Sequence, residues 1–277
     1  MLKSERLAVL PIDSYDLDSE LAVVDSHEYD GKYDAFTFGS WSSHVLANGS
    51  GADSDTAFRP HEGSLTLTEL GKQLPNIMSL VTEHFPVDRL QWVRIFSLRD
   101  GIIAPHVDFL EWAKPGTRVQ VPLRTSEESL HSENGTVYHI RRGEVWRIHS
   151  TDPHSARSTA EAARLSLCLD FSDAEEPLAI RGDIPATEPI RVVERPEPTE
   201  AELEELIGSG NLTPATMRSD FRRFAELHFE RRAHATAAFD WYVEAARRTG
   251  DEDMVAKAEA YRTYCIEKRG DGEVFDW

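Results

Sequence analysis

The sequence predicts a mainly β fold followed by a smaller helical region, and three observations carry that expectation. Over residues 1–180, short apolar runs rich in β-branched and aromatic residues are broken by Gly, Pro, Asn and Asp. That texture belongs to an all-β sandwich or barrel. Between Asp183 and Thr199 stand Pro185, Pro189, Pro196 and Pro198, a density that reads as an extended connection. Beyond Thr199 the apolar residues fall at helical spacing. The expected organisation is a β domain over 1–182, a linker over 183–198 and a helical domain over 199–277.

Between Leu65 and Phe85 the apolar positions Leu67, Leu70, Leu74, Ile77, Met78 and Val81 loosen toward helical spacing, with Pro75 expected to interrupt the helix. Strands are expected at Leu90–Phe96, Thr117–Val121, Thr136–Ile140, Glu144–His149 and Arg164–Phe171. Asn134-Gly135 suits a type I′ hairpin turn, since both residues tolerate positive φ. In the tail, Thr199 with Glu202 forms a capping box, and Thr213-Pro214 offers an N-cap with proline at the first helical position. Gly250-Asp251 should end one helix and cap the next.

Composition excludes several functions. Against 30 Lys and Arg stand 49 Asp and Glu, a net charge of −19. That field opposes the phosphate backbone, so no nucleic-acid partner is expected. No run approaches the ~20 apolar residues of a membrane span, and charges and Pro11 near the start rule out a secretory signal. Two cysteines are too few for a disulfide scaffold. A cytoplasmic protein is expected.

The candidate chemistry lies among the 11 histidines. In an Asp-rich chain of this length a His-x-Asp match arises by chance about once, so context must decide. Residues i and i+2 share a face only in extended chain. His228-Phe-Glu230 lies in a helical pattern and is rejected. His131-Ser-Glu133 precedes the Asn-Gly turn, whereas His106-Val-Asp108 follows the apolar opening Gly101-Ile-Ile-Ala-Pro105 and has the better context. A non-haem iron(II) site needs a third ligand, and His154 stands where it can reach back to that pair. Strand alternation puts Arg164, Ser166 and Cys168 on one face and Leu165, Leu167, Leu169 and Phe171 on the other. A guanidinium pointing into a barrel needs a partner, and a ligand carboxylate matches its planar fork. An outward, solvated Arg164 is the competing reading. Trp41, Trp92, Trp112 and Trp146 are expected to pack in the core or a lid.

These segments resemble the iron(II)/2-oxoglutarate-dependent oxygenases of the aspartyl/asparaginyl β-hydroxylase-like group, and within it the bacterial proline hydroxylases acting on free amino acids. The resemblance runs through Leu90-Gln-Trp-Val-Arg94, Pro105-His-Val-Asp-Phe109, His131-Ser132, Gly143-Glu-Val-Trp146, His154-Ser155, Arg164–Phe171, Phe239-Asp-Trp241 and Asp253–Glu259. It implies a double-stranded β-helix (jelly-roll, cupin-like) core with flanking helices. It implies Fe(II) held by His106, Asp108 and His154, and 2-oxoglutarate held by Arg164 with Ser166 beside it. Arg118-Val-Gln120 stands where the family often has Arg-x-His, so Arg118 fits as a cosubstrate contact and Gln120 departs from the pattern. Arg94 and His131 are the substrate-binding candidates. The expected reaction couples O2 and oxidative decarboxylation of 2-oxoglutarate to hydroxylation of a small free L-amino acid such as proline or pipecolate. Two alternatives are a hydroxylase of Asp or Asn residues in peptides and a non-catalytic cupin-like metal-binding module.

Overall fold

A computed structural model of the chain describes residues 2–27, 34–55, 64–108, 116–172, 177–181, 188–208, 212–269 and 273–277. Among these residues ten strands lie in one antiparallel sheet: β1 Glu5–Val9, β2 Thr37–Asn48, β3 Thr66–Leu67, β4 Leu90–His106, β5 Gly116–Arg124, β6 Ser129–Glu133, β7 Thr136–Tyr138, β8 Glu144–Arg147, β9 His154–Ser158 and β10 Arg164–Ser172. Their order is β1-β8-β5-β10-β4-β9-β6-β7, with β2 added on β4 and β3 on β2. The 17-residue β4 serves both halves. Its residues 90–98 pair with β10, and Gly101 to His106 pair with β9. Although β8 and β7 lie toward opposite ends of that order, Trp146 and Tyr138 stack with ring centroids 5.0 Å apart. The sheet therefore curls until its ends nearly meet, giving the jelly-roll core.

Side-chain alternation sorts the two faces. Outward from the first half point Val93 and Ile95 of β4, Val119 and Val121 of β5, and Leu165, Leu167, Leu169 and Phe171 of β10. Helices α1 Asp18–Ser26, α2 Glu69–Lys72 and α3 Pro75–His84 bury Leu21, Val24, Leu70, Ile77, Leu80 and Val81 in the same cluster. Pro75 interrupts the helical stretch as expected: α2 ends at Lys72, and Pro75 opens α3 at its first position, where its missing N–H is no loss. No side chain at Leu74 caps that helix. Instead Glu20 of α1 accepts the N–H groups of Asn76 (2.7 Å) and Ile77 (2.9 Å). At α2, a Cβ on Gly71 would lie 2.0 Å from the Leu46 carbonyl oxygen, so only glycine lets this turn rest on the β2 backbone.

The second half turns Ile102, Ala104, Leu130 and Val137 outward against the C-terminal helices. These are α4 Glu200–Gly208, α5 Met217–Glu230, α6 Ala237–Thr249 and α7 Glu252–Arg262, the last continuing into a π-helical turn at Thr263–Glu267. Phe221, Phe224, Phe239, Tyr242 and Tyr261 fill that interface. The Thr199–Glu202 capping box is present in both directions. Gly250 adopts φ +76 at the C-terminus of α6, and Asp251 accepts from the N–H groups of Asp253 and Met254. Two expectations fail locally. Helix α5 begins at Met217 with Thr216 before it, and Thr213-Pro214 lies in the preceding turn. At the hairpin, Asn134 takes φ +53 but Gly135 stays outside the left-handed region, so the turn is not type I′. Its carbonyls are held from outside, Asn134 by the Ala235 N–H and Gly135 by Arg195. The strands expected at Thr136–Ile140 and Glu144–His149 also stop earlier, at Tyr138 and Arg147. No helix among the described residues is long and apolar enough to cross a membrane.

Candidate active site

The inner face of the curled sheet is polar. Antiparallel register places His106 directly opposite His154, and β4 ends there, so Asp108 stands just beyond the strand. The loop is pinned by two backbone bonds: Val107 donates to the Cys265 carbonyl, and Asp108 donates to that of Ser150 (both 2.9 Å). The ligand atoms of His106, Asp108 and His154 lie within 4.8 Å of one another. Nδ1 of His106 faces the Ala104 carbonyl at 2.8 Å, and Nδ1 of His154 faces that of Asp152 at 3.0 Å. Each carbonyl calls for the ring proton at Nδ1, which leaves both Nε2 lone pairs for the site. Burial, then the neighbouring His106, pulls His154 down to about 4, so its imidazole is neutral at ordinary pH. Burial alone would raise the Asp108 carboxyl, but Arg118 and the two histidines outweigh it and hold it well below the usual range. A carboxylate and two imidazoles on one face, with room on the other, suit iron(II) chemistry.

Arg164 projects inward as alternation requires and is 6% exposed. Its one hydrogen-bond partner among the described residues is the Gln120 Oε1 at 3.3 Å, and no carboxylate there pairs with it. Burial pushes its guanidinium down to about 10. Nearby, the buried Ser166 hydroxyl and His131 Nε2 also lack partners among the described residues. Burial, followed by the charges of Arg164 and His154, keeps His131 well below its ordinary value and hence neutral. Buried polar groups left unmatched are costly, and a dicarboxylic acid meeting a guanidinium fork and a hydroxyl would match them. The residues fit the metal and the cosubstrate that the sequence implied.

Arg94 and Arg118 behave differently from Arg164. Both reach Asp170, a carboxylate with no exposure: Arg94 Nη2 donates to Oδ2 at 2.6 Å and Arg118 Nε to Oδ1 at 2.7 Å. Arg118 Nη1 also donates to Asp108 Oδ2 at 2.6 Å. Arg94 lies over the Trp92 ring at 3.6 Å and the Phe96 ring at 4.7 Å. Sequence reasoning offered these two arginines to ligands and missed their carboxylate. Alternation sets Asp170 in the inward series Arg164, Ser166, Cys168 on β10, but only strand register brings it to the two arginines.

The rival pair at His131 and Glu133 is split by function. Glu133 is spent on the N-terminal segment, accepting from the N–H groups of Lys3 and Ser4 and from the Ser4 hydroxyl at 2.5 Å. His228 lies on helix α5 and pairs its Nε2 with Ser132 at 2.9 Å, outside the metal cluster. Trp92 and Trp146 are core residues, Trp41 lines the cavity with Phe36, Phe96, Leu98 and Ile103, and Trp112 lies outside the described residues. The Phe36 ring stacks on His106, centroids 4.7 Å apart.

Residues 5–174 match the family described as aspartyl/asparaginyl beta-hydroxylase, and residues 179–273 match L-proline 3-hydroxylase, C-terminal. The chain is 28% identical to L-proline cis-4-hydroxylase of Rhizobium meliloti (strain 1021), with 98% of each chain covered. It is 32% identical to L-proline cis-3-hydroxylase 1 of a Streptomyces species, over 88% of each chain. To L-proline cis-3-hydroxylase 2 of a Streptomyces species it is 30% identical, over 99% of this chain and 98% of the other.

Proposed function

Because the chain belongs to the aspartyl/asparaginyl beta-hydroxylase family, we propose that it is an iron(II)/2-oxoglutarate-dependent dioxygenase that hydroxylates a C–H bond of free L-proline or a cyclic homologue. The observation that carries the proposal is the buried set itself: two imidazoles and a carboxylate within 4.8 Å, facing a guanidinium that no described carboxylate neutralises. In this reading His106, Asp108 and His154 bind the metal. Arg164 grips the distal carboxylate of 2-oxoglutarate through its planar fork, Ser166 donates beside it, and Gln120 and Arg118 complete that side. When bound, iron(II) and 2-oxoglutarate supply the oxidising power for O2-dependent hydroxylation. The chain's own work is placement. Phe36, Trp41, Phe96, Leu98 and Ile103 form an apolar wall that excludes water and leaves one carbon nearest the metal. Arg94 and His131 are assigned to the amino acid, with neutral His131 at the boundary between the two ligands. The same reading divides the chain into an oxygenase domain over 1–182, a linker over 183–198 and a helical domain over 199–277. Two separate family matches, ending at 174 and beginning at 179, support a two-part chain with its junction in that neighbourhood.

The test is direct. Protein handled without oxygen is supplied with Fe(II), 2-oxoglutarate, ascorbate and air, together with a panel of free amino acids and capped peptides containing Asp or Asn. A product heavier by one oxygen should form from proline or pipecolate, with succinate in equal amount. Faster hydroxylation of the peptides would replace this reading, and succinate-free mixtures throughout would end it.

A further inference from the structure

The buried chain of charges from Arg94 through Asp170 and Arg118 to Asp108 has a specific geometry. Arg118 divides its donors, giving Nε–H to Asp170 and Nη1–H to Asp108. Asp170 in turn takes Arg118 on Oδ1 and Arg94 on Oδ2, so it is held from both sides. Asp108 is left with Oδ2 on Arg118 and Oδ1 facing His106 Nε2 at 3.5 Å, the direction of the candidate metal.

A guanidinium and a carboxylate meeting in a dry site prefer a two-point fork, with two parallel N–H to oxygen bonds. Were Arg118 to close that fork on Asp108, both carboxylate oxygens would be occupied by N–H groups and neither would remain for a metal. By accepting the Nε–H, Asp170 anchors the guanidinium in the orientation that sets Nη1 against one oxygen of Asp108. Every residue of this network is buried or nearly so, with side-chain exposures of 2% for Arg94, 0% for Asp170, 7% for Arg118 and 12% for Asp108. Water is therefore a poor substitute for Asp170.

We propose that Asp170 is a positioning residue for the metal site, restricting Arg118 to one oxygen of Asp108 so that the other stays available as a ligand. This rests on the metal reading above and adds the residue that keeps its carboxylate open.

Manganese(II), which is redox-silent, serves as the probe, its free fraction read by electron paramagnetic resonance during titration of the metal-free full-length protein. Asp170→Asn should weaken binding by about 10-fold or more, the usual scale for losing a partner of a metal ligand. Adding Arg118→Gln in the same chain removes the competing guanidinium and should restore affinity to within about threefold of the parent. A structural role alone would give no such rescue. Where Asp170→Asn leaves too little folded protein, the pair Arg94→Gln with Asp170→Asn removes the stranded buried charge, and this protein should still bind weakly. Parent-like affinity in either Asp170 variant, or a double variant with Arg118→Gln as weak as Asp170→Asn, overturns the proposal. Asp108→Ala separates the two claims, because retained binding there would remove the metal site itself.

Discussion

Arg164 carries the sharpest residue-level expectation. Lysine in its place keeps the charge but loses the fork, so one charge-assisted hydrogen bond worth about 1.5–3 kcal/mol goes with it. The half-saturating concentration of 2-oxoglutarate in Arg164→Lys should rise about 10–100-fold, while that of the amino acid changes little. Equal changes in both would return Arg164 to an ordinary buried cation. Arg164 could be singled out in the sequence because a single strand's alternation sets it opposite four core residues, Leu165, Leu167, Leu169 and Phe171. The roles of Arg94 and Arg118 could not be weighed in that way. Their shared partner Asp170 sits on a different strand from either, and only register, with Asp170 opposite Trp92 on one side and Arg118 on the other, brings the three together.

Among the elements, those governed by neighbours a few residues apart were legible and those governed by distant chain were not. The capping box at Thr199 and the Gly250-Asp251 junction depend on bonds across three residues, and both formed where the letters indicated. The Asn134-Gly135 turn depends on Arg195 and Ala235, which hold its carbonyls, and its conformation departed from the local preference. Helix α3 is the other such case, since its cap arrives from α1. Glu20→Ala leaves the N–H groups of Asn76 and Ile77 unmatched beside a buried helix end and should cost about 1–2 kcal/mol. Urea unfolding would register the loss as a lower midpoint with unchanged slope, and manganese(II) affinity should stay as in the parent. An unchanged midpoint would mean that water caps α3 equally well.

For the whole molecule, the two halves of the sheet are each sealed by their own helices, and each seal encloses a histidine. Burial draws His228 down to about 3; burial, aided by His27, draws His44 down to about 4. Both are therefore neutral in the fold, whereas the unfolded chain takes up their protons near 6.5. The unfolded state then binds more protons below that pH, so stability is complete above about 6.5 and falls as pH descends toward 4. Each histidine contributes a slope of up to about 1.4 kcal/mol per pH unit, seen as a falling urea midpoint between pH 7 and pH 5, and His228→Gln should flatten that fall. A midpoint indifferent to pH over that range would contradict the burial argument. The sheet's closure, like these seals, was legible only as a class, because curl and register are set by pairings between remote strands. One of those remote ties orders events in time. The Val107 N–H, one residue from Asp108, is held by the carbonyl of Cys265 at the end of the last helix. On the ribosome, the strands that carry His106 and His154 emerge long before that carbonyl exists. The Val107 amide must therefore rely on water until the turn after α7 is made, and a nascent chain halted before Cys265 would hold the backbone of the Asp108 loop through the Ser150 carbonyl alone.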